Sequence, residues 1–465
     1  MGKGKRVRKK LGLGSTAWKR KRTIRRMAGL IVKYFSDELL HRFIDPRSLQ
    51  GRRWKSCLPL IRAVLLGLAC GCKGLGELEE LTDDMHIGVR RLLKIPRRIP
   101  DTTLRDFIVL LGPEQLSELL YVVGYDAWRR RALKDSAEFP WSVFSLDAKY
   151  PVIRDINKSE FLQVHHNENG EAIYGMLRTV TATLITAAGQ PIFGAVPVPG
   201  DTNEQGSFQK ALGDMVRIYG RLFSLIMYDA GAASQGNADA VLACGKHYFY
   251  QLADERWTML QTIEWLLADK APVAIDKDIV SSHKCVIRRL SVLPVKPTGK
   301  TEPVIWESVR TAFKLVSETY VDGVLDSTMT RFYVTDLESQ AIMGDSPEPR
   351  DPKAAAEIAA KKWTKLIVLR WGVETSHQVL DGAFAEDDRP WITCNAQGAL
   401  AIMILRRIAY TIMTLFKSVT QRSDDNRALP FRKVMEWLKD ALKWPNAEEF
   451  KNLRTRRFAL PPALA

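Results

Sequence analysis

WSVFSLD (Trp141 to Asp147), followed by RTVTATLITAAGQPIFGAVPV (Arg178 to Val198), decides the fold of this 465-residue chain. The first is a short β-rich run that ends on an acid. The second is two β runs joined by a tight Ala-Gly-Gln turn, which predicts an antiparallel hairpin. Beyond it, Ser207 to Tyr219 reads as a helix, LFSLIMYD (Leu222 to Asp229) as a buried strand ending on a second acid, Asn237 to Cys244 as a helix, and HYFYQLA (His247 to Ala253) as another strand. The order is therefore strand, hairpin, helix, strand, helix, strand.

That order is the one used by RNase H-like folds, an α/β class with a mixed sheet and helices on its faces. In that topology the first and fourth strands are neighbours, so Asp147 and Asp229 are expected side by side. Around this core the chain divides into a basic arm (1–29), a helical block (30–138), the core's first part (139–252), a β-rich insertion (253–352), the core's second part (353–420) and a helical tail (421–465). The insertion's β runs are CVIRRLSVLPV, VIWESVRTAFKLVSETYV and TMTRFYVTDL. Its aromatics, Trp306, Phe313, Tyr320, Phe332 and Tyr333, read as sheet core more than as base-stacking groups. In the helical block, Leu104 to Leu120 reads as one helix. DDMHIGVRRLLKIPRRIPDTTLRDF reads equally as a helix-turn-helix contacting DNA, through Arg97 and Arg98 among others, and as a packing module.

The formal net charge is +16, and twelve Lys and Arg residues fall within the first 29 positions with no acid among them; 16 less 12 leaves only +4 for the rest. Such an arm, including Lys19, Arg20, Lys21 and Arg22, is expected to seek the phosphates of DNA, releasing counterions as it binds. No apolar signal segment follows the cations directly. The apolar run Ala63 to Cys72 is about half the ~20 residues a membrane span needs, and the run through Met403 is interrupted by Arg406 and Arg407, so both read as core helices and no membrane partner is expected. Six cysteines without a Cys-x-x-Cys pair argue against zinc and fit a reducing cytoplasm.

A third acid comes from VLRWGVETSHQVLDGAFAEDD (Val368 to Asp388). At about 3.6 residues per turn, Arg370, Glu374, Gln378 and Asp381 share one helical stripe while Leu369, Val373, Leu380 and Phe384 are left to pack. The run Glu386, Asp387, Asp388 reads as a solvated helix exit. Two or three carboxylates from separate elements suit two Mg²⁺ ions, which take oxygen ligands and serve phosphoryl transfer ~3.5–4 Å apart; Mn²⁺ is expected to substitute.

FSLDAKY, GDTNEQGSF, YDAGAASQGNADAV, GKHYFYQLA and RWGVETSHQVLDGAFAEDDRP together resemble the DDE transposases of bacterial insertion sequences. The likeness is to the branch with a β insertion before the last catalytic residue, nearest the H-repeat-associated type, and spans about residues 30–420. Many relatives carry Tyr and Lys on the last helix where Ile367 and Asp381 stand here. The resemblance implies Asp147, Asp229 and Glu374 as the metal-binding catalytic triad, with Arg370 and Lys149 as contacts to DNA and Glu204 and Asp381 as secondary candidates. It implies a cytoplasmic, nucleoid-associated enzyme that cleaves and joins double-stranded DNA, working as a homodimer that brings two element ends together. The alternatives are an RNase H-like nuclease without strand transfer and a catalytically inactive DNA-binding descendant.

Overall fold

The computed structural model describes residues 26–48, 55–132, 138–253, 258–295, 305–345, 349–388, 390–420, 429–443, 453, 455 and 457–464. Twelve strands form among them: β1 (Val143–Lys149), β2 (Val152–Ile153), β3 (Leu162–His166), β4 (Ala172–Leu177), β5 (Thr179–Leu184), β6 (Ile192–Pro197), β7 (Leu225–Tyr228), β8 (His247–Leu252), β9 (Ala274–Ile279), β10 (Lys284–Pro294), β11 (Thr311–Val321) and β12 (Val324–Thr335). Nine make one sheet in the order β6-β5-β1-β7-β8-β12-β11-β10-β9, and β2-β4-β3 make a small second one. β5 and β6 are the expected hairpin, turned by Gly189 and Gln190 at φ +82° and +50°. β1, β7 and β8 run parallel, and β5 pairs antiparallel with β1. The first five strands of that order are the RNase H-like arrangement, an α/β mixed sheet.

The insertion's strands continue this sheet. β12 pairs antiparallel with β8, and β11, β10 and β9 follow outward as an antiparallel meander. Phe313, Phe332 and Tyr333 are buried within it. The edge strand β9 carries Asp276, Lys277 and Asp278 on its exposed run, charges that discourage further strand addition.

The helices are α1 (Asp37–Leu40), α2 (Leu58–Ala69), α3 (Leu75–Asp84), α4 (Ile87–Leu93), α5 (Asp101–Ile108), α6 (Pro113–Arg129), α7 (Glu204–Tyr219), α8 (Gln235–Ala243), α9 (Thr258–Leu266), α10 (Pro352–Gly382), α11 (Ala396–Leu415) and α12 (Phe431–Lys443). The single helix expected over Leu104 to Leu120 is broken. α5 and α6 meet at a 95° bend, because Gly112 leaves the helical conformation and Pro113 opens a new helix where its missing N–H is harmless.

Strand pleating sends alternate residues to opposite faces, and both faces are covered. Phe144 and Leu146 of β1, Ile226 and Tyr228 of β7, and Tyr248 and Tyr250 of β8 join a core shared with α2, α6, α7, α11 and α12. Val143, Leu225, Met227, Phe249, Phe313 and Tyr333 join a second core against Trp363, Leu366, Ile367 and Val373 of α10. Trp363 is its centre, stacked on Phe249 at 5.3 Å with its indole N–H donated to the Ser339 carbonyl at 2.8 Å. The segment Ala396–Ser418 is long and apolar enough to cross a membrane, but its apolar stretch is buried inside the protein, Arg406 and Arg407 included.

Candidate active site

The same alternation places the acids. Asp147 is in phase with Val143 on β1, and Asp229 continues the phase of Leu225 and Met227, so both belong to the face that α10 covers. β1 and β7 pair in parallel register up to Leu146 with Tyr228, which puts Asp147 and Asp229 at the same level on adjacent strands. Glu374 reaches this level from α10 and is exposed, whereas Asp147 is mostly covered. Burial, reinforced by the negative charge of Asp229 and Glu374 and opposed by Arg370, pushes the Asp147 carboxyl up from 3.8 to about 7.

Local bonds hold the two strand acids. Asp147 Oδ1 accepts from the Ala148 N–H at 3.1 Å, and Asp229 Oδ1 accepts from the Gly231 N–H at 3.0 Å as the chain enters a 3₁₀ turn. Arg370, buried, brings Nη2 to 3.8 Å from Asp229 Oδ2. One turn beyond Glu374, His377 Nδ1 lies 3.6 Å from Asp147 Oδ2. Burial, with Arg407 and Lys149 adding to it, lowers the His377 ring to about 4, so the ring is neutral at pH 7 and this contact is no ion pair. Gln190, from the β5–β6 turn, donates Nε2–H to the Leu369 carbonyl of α10 at 2.8 Å, an approach that Gly372 leaves room for.

Beside the acids lies a buried ionic cluster that the sequence did not announce. Lys149, two residues after Asp147, donates to Asp381 and lies 3.0 Å from Glu386 Oε2 and 3.3 Å from Asp387 Oδ1. Glu386 is 1% exposed and receives Arg407 Nη1 at 2.6 Å. Burial opposes the Glu386 charge, yet Arg407, Lys149 and Arg406 together outweigh it and hold the carboxyl at about 2. Two expectations change accordingly. Lys149 is not an open contact for DNA, because three carboxylates already surround its buried ammonium; and Glu386 is no solvated helix exit but the most deeply buried acid of the cluster. Asp381 is a partner of Lys149.

The remaining candidates are spread out. Arg97 and Arg98 lie between α4 and α5, where Arg98 Nε donates to Glu79 Oε1 at 2.6 Å. Glu204 opens α7, with its side chain outside the described residues, and Lys19, Arg20, Lys21 and Arg22 lie wholly outside them. His377 and Arg407 were missed. The only hint of the second was an arginine pair inside an otherwise apolar helix.

Three carboxylates are oxygen donors of the kind a hard divalent ion takes, and burial together with the charge of neighbouring acids, which raise Asp147, disfavour its ionised form in a way a cation would relieve. The donor chemistry therefore fits. As the side chains stand, they share a field without closing on one point: among the described residues, no three His, Cys, Asp or Glu side chains are gathered to hold an ion.

No family model matches the sequence, and no curated protein does. Among solved structures, the chain is similar to the piggyBac transposase in its synaptic complex with hairpin DNA, determined by cryo-electron microscopy. The identity is 10% and the TM-score 0.41, over 90% of this chain and 77% of that one.

Proposed function

We propose that this chain is a DDE-type transposase of a bacterial insertion sequence, of the H-repeat-associated type, which cleaves DNA at the element's ends and joins those ends to target DNA. The observation that carries the reading is the placement of Asp147 and Asp229 at one level on adjacent strands, with α10 bringing Arg370 and His377, on either side of Glu374, to 3.8 Å from Asp229 and 3.6 Å from Asp147.

Asp147, Asp229 and Glu374 would hold Mg²⁺ or Mn²⁺ through their carboxylate oxygens. When bound, the ions supply activation of the attacking oxygen and stabilisation of the leaving oxygen. The chain's own part is placement. β1 and β7 hold two acids at one level, α10 presents Glu374 on the solvent side where a DNA strand can approach, and Arg370 steadies Asp229. Attack of water on the phosphodiester at an element end leaves a 3′-hydroxyl, which then attacks target DNA in line. The basic arm and the arginines between α4 and α5 would meet backbone phosphate, two copies would bring two ends together, and the site of action is the nucleoid in the cytoplasm.

The test uses the full chain with duplexes carrying the inverted repeats that flank its gene. Asp147→Asn, Asp229→Asn and Glu374→Gln are each expected to abolish Mg²⁺- or Mn²⁺-dependent cleavage and leave DNA binding nearly unchanged. Wild-type cleavage by Asp147→Asn would remove that residue from the chemistry. Pre-cleaved ends that are never joined to target DNA would identify a nuclease instead.

A further inference from the structure

We infer that Lys149, Glu386 and Arg407 are positioning residues: a buried ionic clamp that fixes α10 against β1 and thereby sets the separation of Asp147 from Glu374. The inference rests on the reading of those acids as a metal-holding set.

The geometry is that of two parallel rungs. Lys149 follows Asp147 by two residues on β1 and shares its face of the sheet. Asp381 follows Glu374 by seven residues, two turns along the same side of α10. A strand and a helix joined at Lys149 and Asp381 cannot slide past one another without moving Asp147 relative to Glu374.

The run DGAFAED (Asp381 to Asp387) builds the second half of the clamp. Phe384 is buried against Tyr410 of α11 and Phe431 of α12, at ring separations of 6.2 and 6.1 Å. Ala385 takes a left-handed φ of +51°, unusual for a residue with a Cβ. The Glu386 N–H returns to the Leu380 carbonyl at 3.0 Å, so the chain doubles back beneath the helix end. The Glu386 carboxylate then bridges Lys149 on β1 and Arg407 on α11, and Arg407 also donates to the Met403 carbonyl at 2.8 Å. Three elements meet on this one carboxylate.

Burying so many charges is no efficient way to gain stability, since apolar side chains of similar volume commonly do as well or better. What a bonded ionic network adds is direction: each Nζ and Nη contact specifies a distance and an angle that aliphatic packing leaves open. That the network stands two residues from Asp147 makes register at the acids its purpose.

The sign of one measurement separates this from a simple effect of charge. Mn²⁺ binding to the full chain is followed by electron paramagnetic resonance in wild type and Lys149→Met, with melting temperature recorded for both. Removing a cation near the acids should tighten Mn²⁺ if only electrostatics operates; loss of the clamp should weaken it, by tenfold or more. Arg62→Met, which removes an equally buried arginine paired with Asp37 in the N-terminal helices, is expected to lower the melting temperature and leave Mn²⁺ affinity unchanged. Should Lys149→Met not fold, Lys149→Gln keeps a polar reach toward the carboxylates and its affinity change is judged by the same sign. Equal or tighter binding in the folded Lys149 variant overturns the clamp alone, whereas a wild-type chain that binds no Mn²⁺ overturns the functional reading and the clamp with it.

Discussion

Glu386→Gln tests the ionic cluster as a stability element. The substitution keeps the shape of the side chain but leaves Arg407, Arg406 and Lys149 facing a neutral amide. Holding the carboxyl at about 2 against an ordinary 4.5, at about 1.4 kcal/mol for each tenfold in proton affinity, corresponds to about 3 kcal/mol at pH 7. Breaking one partner of a buried ion pair costs about 3–5 kcal/mol by a separate route, so the two agree. The folded-state value is depressed, so this stability is fully present above pH 4.5 and fades as pH falls toward 2. Urea unfolding of wild type and variant, followed by tryptophan fluorescence, should give a difference of about 3 kcal/mol at pH 7 that shrinks to about 1 kcal/mol at pH 3. A difference below about 1 kcal/mol at pH 7, or one independent of pH, would refute the claim that Glu386 is held ionised by the cations around it.

Two further outcomes follow from the same structure. Trp363→Ala removes the centre of the α10 core, with its stacking on Phe249 and its bond to Ser339, and should destabilise the chain by about 3–5 kcal/mol in the same urea assay; a change under about 1 kcal/mol would mean that α10 is held some other way. Mn²⁺ titration should give one tight site on the free protein and a second only when DNA is added, and two tight sites without DNA would contradict a net charge of −2 at the acids.

The order of elements was legible because each strand of the core carries its own local signal: β-rich runs, a turn at Gly189 and Gln190, and acids where strands end. Asp147 and Asp229 could be singled out from those strands, and Glu374 from the helical stripe it shares with Arg370. The joining of β12 to β8 was not visible, because alternation marks a strand and not its neighbour. The ionic cluster was hidden for a sharper reason. Lys149 in FSLDAKY looks like an exposed cation, and Glu386-Asp387-Asp388 looks like a solvated acidic run; Asp387 and Asp388 do stay exposed, but Lys149 and Glu386, 237 positions apart, are buried against each other. Arg407 read as an interruption in an apolar helix, when it is the counter-charge that lets Glu386 enter the core.

The division of charge around Asp147 follows one logic. In the cluster, Lys149, Arg406 and Arg407 meet Asp381, Glu386 and Asp387, three cations against three acids, so the cluster is formally neutral. Among the described residues, Arg370 is the cation paired with Asp147, Asp229 and Glu374, so with all three carboxylates ionised they leave a formal −2. One divalent ion would balance that charge within the protein. A second brings an excess of two positive charges that these side chains do not match, and the phosphates of a bound strand supply the missing negative charge. On the proposed reading, a neutral clamp would set the geometry without competing for the ion, and the charge left at the acids would make full metal loading depend on DNA being in place.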